Sequence, residues 1–342
     1  VSLVDPDADR TVDEELPLSR ADAWQRRHPV VGVPLAVVYK FVDDQGVYLA
    51  VIMTYYAFVS IVPVMLLATA VLGFLLDGNP ELRAEVLSSA VAGFPVVGDQ
   101  LGRPEGLQGS VGAVVIGTLI ALYGSLGLGT ALQNALHVAW SVPRNSRPNP
   151  FLLRLRSLGL LVAGGLSLVA VSTVSTVAQV ATGLAADLGD AVRWVVLPLV
   201  SLLVVTVIVA VLTWAGVGRR HPLRAAWPGA LLIAAAWQGV QLGSTVLVQR
   251  NLTETSSMNQ TFGLVLGLVA VTYVASLALV FGVQLNVVLH RHLWPRALLT
   301  PFTDSVSLTD ADRRAYTGYA RAQRHKGFEE VDVTFHDDPA GP

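Results

Sequence analysis

The sequence predicts an all-α integral membrane protein of six transmembrane helices, with an interfacial segment before the first helix and an outer amphipathic helix after it. Three observations carry this expectation. The formal charges leave six gaps, at 45–76, 106–143, 157–186, 194–218, 225–249 and 255–290, each long enough for the roughly 20 apolar residues that a bilayer crossing takes. Charged residues make up 14% of the chain, against about 25% in soluble domains, and the mean hydropathy is +0.56. Basic residues also alternate between connections. Arg20, Arg26, Arg27 and Lys40 precede the first span, Arg144, Arg147, Arg154 and Arg156 follow the second, Arg219, Arg220 and Arg224 follow the fourth, and Arg291 and Arg296 follow the sixth. The other connections hold only Arg83 and Arg103, then Arg193, then Arg250. Lys and Arg collect on the cytoplasmic side of inner membranes, so both termini are expected in the cytoplasm.

The elements follow in order. Residues 1–23 are acidic and poor in apolar anchors, which predicts a disordered tail and is the opposite of a basic secretory leader. Residues 24–44 mix basic and apolar side chains. They read as an interfacial segment or short amphipathic helix lying on the inner leaflet, with Pro29 and Pro34 limiting how much of it can be regular helix. The membrane domain covers 45–290, with spans at about 48–76, 110–140, 157–183, 194–216, 225–249 and 261–289. The connection after the first span contains "PELRAEVLSSAVAGF", where Leu82, Val86, Ala90 and Phe94 share one helical face and predict the outer amphipathic helix. Residues 291–342 form a tail in which Thr309 and Asp312 have the spacing of a helix N-cap. Trp140, Trp194, Trp214, Trp227 and Trp294 fall near span ends, as an interfacial aromatic belt does.

Polar residues inside charge-free spans need a reason. "MTYYAFVSIVP" (53–63) carries Thr54, Tyr55, Tyr56, Ser60 and Pro63. A proline there removes one backbone donor, so a bend between Val59 and Pro63 is expected, with Ser60 able to serve freed backbone groups. Tyr123, Thr130, Asn134 and His137 recur along one face of span 2, and Gln179 lies with serines and a threonine on span 3. Gln238 and Gln241 share a face of span 5, while Gln284 and Asn286 lie within one turn near the end of span 6. Two readings stay open for these faces. They are interhelical hydrogen bonds of about 0.6 kcal/mol each, or they line a polar pathway. Gln284 and Asn286 are expected to face inward and to bond another span around Thr54–Ser60. His137 reads as an interfacial residue. "GSLGLG" (124–129) looks like a phosphate loop but has neither its spacing nor a following Lys-Ser/Thr, so it is expected to be a helix-packing ridge.

Two of these motifs carry a resemblance. Thr54, Tyr55, Tyr56, Ser60 and Pro63 match the pattern T-Y-Y-x-x-x-S-x-x-P, and Gly282, Gln284, Leu285 and Asn286 in "FGVQLNVVLH" match a G-A-[EQ]-L-N ending, with Val283 in place of the usual small residue. Together they resemble the YihY/BrkB family of bacterial inner-membrane proteins over about residues 35–295. The resemblance implies a bacterial cytoplasmic membrane location and an association with the cell envelope.

Several activities are argued against. The seven histidines form no H-x-H-x-D cluster and cysteine is absent, so neither a phosphodiesterase metal centre nor a thiolate nucleophile is expected, and the ribonuclease role once attached to the family finds no support. No basic and aromatic surface suits nucleic acid. No Asp, Glu, Lys or Arg interrupts the spans, which argues against a proton relay. The expectation is a non-enzymatic protein without cofactor that exports or flips an amphipathic envelope molecule, or else a membrane scaffold. Its expected partners are the bilayer, a lipid or amphipathic envelope substrate, and a second copy of the chain.

Overall fold

The computed structural model describes residues 20–75, 111–184, 195–218, 221–251, 257–303 and 306–335, with side chains described for all of these but 61–75, 111–122, 168–184, 197, 244–251 and 257–264. Among the described residues the regular structure is helical: α1 (Arg20–Arg27), α2 (Pro29–Asp43), α3 (Gly46–Leu75), α4 (Val111–Ala139), α5 (Pro150–Leu184), α6 (Leu197–Gly216), α7 (Trp227–Asn251), α8 (Ser257–Arg291) and α9 (Asp310–Ala322). Helices α3 to α8 are the long ones, and each packs on the next, with α8 returning to pack on α3. The six form a ring. Within the described residues, three segments, Pro150–Ser167 of α5, Pro198–Gly216 of α6 and Val265–Arg291 of α8, are long and apolar enough to cross a membrane. Their outer faces are apolar, with Leu155, Leu199, Leu203 and Leu266 exposed.

The buried apolar clusters gather at the end of the ring where the described termini meet, called here the base. One joins Val37 of α2, Leu136 and Trp140 at the end of α4, Val287 and Val288 of α8, and Ala315 of α9. A second joins Phe41 of α2 to Leu49 and Met53 of α3, Ala135 of α4 and Val280 of α8, with Phe41 stacked on Phe281 at 4.2 Å.

Helix α3 runs through Pro63 without ending there, and the Pro63 side chain lies outside the described residues. Two polar residues of its signature bond within their own helix: Thr54 Oγ1 donates to the carbonyl of Ala50 at 2.7 Å, and Ser60 Oγ to that of Ala57 at 3.0 Å. The signature instead meets the glycines of α4. A methyl group built on Gly127 would fall 2.1 Å from the Tyr56 ring, and one on Gly124 would fall 2.3 Å from Val59. Larger residues at either position would force α3 and α4 apart, so these glycines are a packing ridge.

Several expectations are corrected. The tail expected to be disordered to residue 23 already enters α1 at Arg20, and Asp22 is buried. Residues 24–44 are largely helical, and α2 packs along α8 and α3 and buries Gly32, Ala36, Val37, Tyr39, Lys40 and Phe41. Pro29 starts that helix and Pro34 sits inside it. The carbonyl that Pro34 leaves without its helical partner belongs to Val30, which is exposed and can be hydrated. The third long helix starts at Pro150 instead of 157, because the Asn149 side chain accepts from the Leu152 amide at 2.8 Å and caps its first turn. His137, near the end of α4, is buried. The outer amphipathic segment around Pro80–Phe94 lies outside the described residues.

Candidate functional site

The polar residues that converge in this fold do so at the base. Gln284, on α8, is 0% exposed, and its Nε2 donates to Asp44 Oδ2 at 2.8 Å. The same oxygen accepts from Lys40 Nζ at 2.8 Å. Lys40 stands four residues before Asp44, on the last turn of α2, so helical periodicity places them on one face. Burial is the largest influence on both, pushing the Asp44 carboxyl up and the Lys40 ammonium down, and each partner counters the other's shift. Removing either would leave an uncompensated buried group.

A second ion cluster adjoins the first. Arg296 is 0% exposed, and its Nη1 donates to Asp43 Oδ2 at 3.1 Å while its Nε donates to Asp312 Oδ1. Burial opposes the charge, but Asp312 and Asp43 outweigh it and hold Arg296 above its ordinary range. The guanidinium also lies over the rings of Tyr316 and Tyr39, at 5.3 and 5.9 Å. Asp312 belongs to a capping box that starts α9: Thr309 Oγ1 accepts from the Asp312 amide, and the Asp312 carboxylate accepts from the Thr309 amide. One carboxylate therefore caps a helix, accepts from Arg296 and takes the Ala297 amide at 2.9 Å. Tyr319 donates to Asp43 at 3.2 Å, and burial beside Asp44 and Asp43 pushes its phenol well above the ordinary range. Gln25 of α1 completes the clamp, donating to the Arg296 carbonyl at 2.6 Å and to Asp22 at 2.9 Å.

Asn286 does a different job. Its Oδ1 accepts from the Gly229 amide at 2.6 Å, and its Nδ2 donates to the Ala226 carbonyl at 3.2 Å. It satisfies the first turn of α7, whose amides lack helical partners. Here α7 and α8 come close enough that a methyl group on Gly229 would lie 1.8 Å from the Gly282 carbonyl oxygen.

The remaining sequence candidates fall into separate groups. Gln284 and Asn286 face inward, but they bond Asp44 and the start of α7, not Thr54–Ser60. Tyr123 is 69% exposed and Tyr55 61%, and the two meet at Tyr56, which shares a side-chain hydrogen bond with Tyr123 and packs edge-on to Tyr55 at 5.1 Å. Asn134 is exposed and accepts from Arg147 at 3.5 Å. The span 2 stripe thus splits, its His137 inside and its Tyr123 and Asn134 outside. Gln238 is half-buried and donates to the Pro198 carbonyl of α6 at 3.3 Å, while Gln241 is half-buried and engaged. The Gln179 side chain lies outside the described residues.

Sequence reading overlooked several residues. Lys40, Asp44 and Arg296 were read as flanking charges, yet all three are buried at the base, outside the charge-free spans; Asp43 was not singled out, and Asp312, read as the cap partner of Thr309, is that and also the partner of Arg296. Gln133 was passed over beside Asn134, yet it is fully buried and its Nε2 donates to Ser157 Oγ at 2.9 Å and the Leu153 carbonyl at 3.1 Å, tying α4 to α5. The i, i+4 pairing of Lys40 with Asp44 was a legible signal. Arg296 offered none, because its partners are distant in sequence. Among the described residues no group of three or more His, Asp or Glu side chains could hold a metal ion.

A model of the family described as virulence factor BrkB matches residues 37–301, which takes in both motifs, the ring and Arg296. No curated protein and no solved structure matches the chain.

Proposed function

Because the chain belongs to the virulence factor BrkB family, a family of membrane proteins, we propose that it is a six-span protein of the bacterial inner membrane, both termini cytoplasmic, that moves an amphipathic cell-envelope molecule across the bilayer. The six charge-free stretches coincide with the six long helices of the ring, and the basic connections all fall on the base side of that topology, which supports the orientation. In this reading the protein is not an enzyme and uses no cofactor.

The observation that carries the transport reading is the seam between α6 and α7. Gln238 is half-buried there and holds a carbonyl of the neighbouring helix, and Gln241, about one turn on, is half-buried too. A membrane-depth helix that keeps amides partly open along a seam can let a polar group pass while an acyl chain stays in lipid. The test is transfer of fluorescent-headgroup phospholipid between leaflets of vesicles containing the purified chain, read by quenching from outside. The unmodified chain should raise transfer above protein-free vesicles, and Gln238→Leu with Gln241→Leu should abolish the gain without lowering yield or melting temperature. Transfer no faster than in protein-free vesicles would sink the proposal.

A second reading has its own observation. Gln284 and Asn286, the amides of the family motif, are buried ties between elements, which suits a scaffold.

A further inference from the structure

The outer face of α3 carries phenols at a depth where lipid offers them nothing. Leu49, Ala50 and Met53 turn inward, to the cluster shared with α4 and α8. On the opposite side Tyr48, Val51, Ile52 and Tyr55 are exposed, and their spacing puts them on one helical face. Tyr123 of α4 stands beside that face, also exposed. It joins the face through its hydrogen bond to Tyr56, whose ring lies against that of Tyr55.

The depth follows from the packing of α3 on α4. Tyr56 sits over Gly127, twelve residues before α4 ends at Ala139. About 18 Å of helix therefore separates the cluster from the base end of α4, and a hydrocarbon core is about 30 Å thick. Tyr48, near the start of α3, can reach the interface as belt tyrosines do. Tyr55, Tyr56 and Tyr123 lie too deep for that.

Their hydroxyls are only partly satisfied. The Tyr56–Tyr123 bond uses one hydroxyl hydrogen and leaves the other free to donate, and Tyr55 carries a third. Among the described residues none accepts from the Tyr55 hydroxyl. A hydroxyl without a partner in hydrocarbon is costly. The ester and phosphate oxygens of a resting lipid lie outside the core, so the acceptor must come from protein.

We infer that this face of α3 and α4, centred on Ile52, Tyr55 and Tyr123, binds a second copy of the chain across a two-fold axis. A hydroxyl both donates and accepts, so the patch complements itself, as an isologous contact requires. Each copy then supplies the acceptors that the other lacks. At about 200 Å² for a whole tyrosine, the exposed parts of Tyr48, Val51, Ile52, Tyr55 and Tyr123 offer on the order of 500 Å² per copy. Two copies together approach the roughly 1,000 Å² of a specific interface. The contact is independent of the transport reading, because α6 and its seam with α7 lie across the ring from α3.

The test uses the full chain in vesicles, diluted in lipid. The chain lacks cysteine, so one added at its C-terminal end can carry a single dye, and photobleaching steps then count the copies in each spot. Two-step spots should grow with protein density along a monomer–dimer isotherm. Tyr55→Phe with Tyr123→Phe keeps the rings and removes the hydroxyls, and it should weaken the dimer several-fold, as the loss of hydrogen bonds between membrane helices does. Separately, Ile52→Cys treated with copper phenanthroline should cross-link into a dimer, whereas Leu203→Cys, exposed on α6, should not. The cross-link leaves the phenols intact, so it tests the interface whatever the Phe variant does. Single-step spots at every density would overturn the proposal and leave the phenols to a passing lipid headgroup. An undiminished dimer of a folded Phe variant would overturn it too, as would cross-linking at position 203 that matches that at 52.

Discussion

Near its start, α7 lies against α8 so closely that a methyl group on Gly229 would run into the Gly282 carbonyl, whereas farther along the same helix Gly239 and Gly243 face open space. The polar side chains divide the same way. At the base Asn286 satisfies an amide in the first turn of α7 and the carbonyl of Ala226 just before it, and farther along Gln238 and Gln241 are only half-buried. Glycine at one place permits two backbones to touch, and at the other it leaves room. The difference teaches that α7 is anchored at the base and loosely covered beyond it. A helix so held can shift its far half while its anchored end stays fixed, which a carrier needs and a scaffold does not.

The largest effect should come from breaking the anchor. Arg296→Met strands Asp312 and Asp43 without their cation and should cost about 3–5 kcal/mol, read as a large fall in melting temperature in detergent. Adding Asp312→Leu should recover part of that loss, since a buried pair replaced by apolar groups is often tolerated; no recovery would show that Asp312 matters mainly as the cap of α9. Next comes Gly229→Ala, which must push α7 off α8 and should cost about 1–3 kcal/mol. Its counterpart Gly243→Ala should be neutral or stabilising by up to about 1 kcal/mol, because an interior helix glycine is the poorer former. Equal effects at the two glycines would erase the contrast. Asn286→Ala should cost about 1–3 kcal/mol by leaving the Gly229 amide unpaired. The smallest change belongs to Gln238→Ala, about 0.6 kcal/mol for one interhelical bond, and a cost above 2 kcal/mol there would make the α6–α7 seam a structural tie.

The long helices were legible because charge is excluded from them over whole spans, a property that composition alone displays. Boundaries were less legible, since Asn149 caps α5 eight residues before the charge gap opens and Pro34 is absorbed into α2. The base was read in fragments. Gln284 and Asn286 were recognised as inward-facing because two amides in one turn are costly in lipid, but their partners were assigned to the wrong neighbour. Asp44 looked like the edge of a hydrophobic run, and only the packing of α2 along α8 makes it the acceptor that Gln284 and Lys40 share. Arg296 looked like one more positive-inside residue, and its burial follows from α9 folding back, which no local pattern announces.

The most direct test of the anchored and open halves uses the absence of cysteine from the chain. Single substitutions Gln238→Cys and Gln284→Cys, reconstituted in vesicles, can be treated with a water-soluble thiol reagent that does not enter lipid. Reaction at position 238 with none at position 284 is the predicted result, a hydrated seam and a buried tie at the base. Reaction at 284 with none at 238 would contradict it.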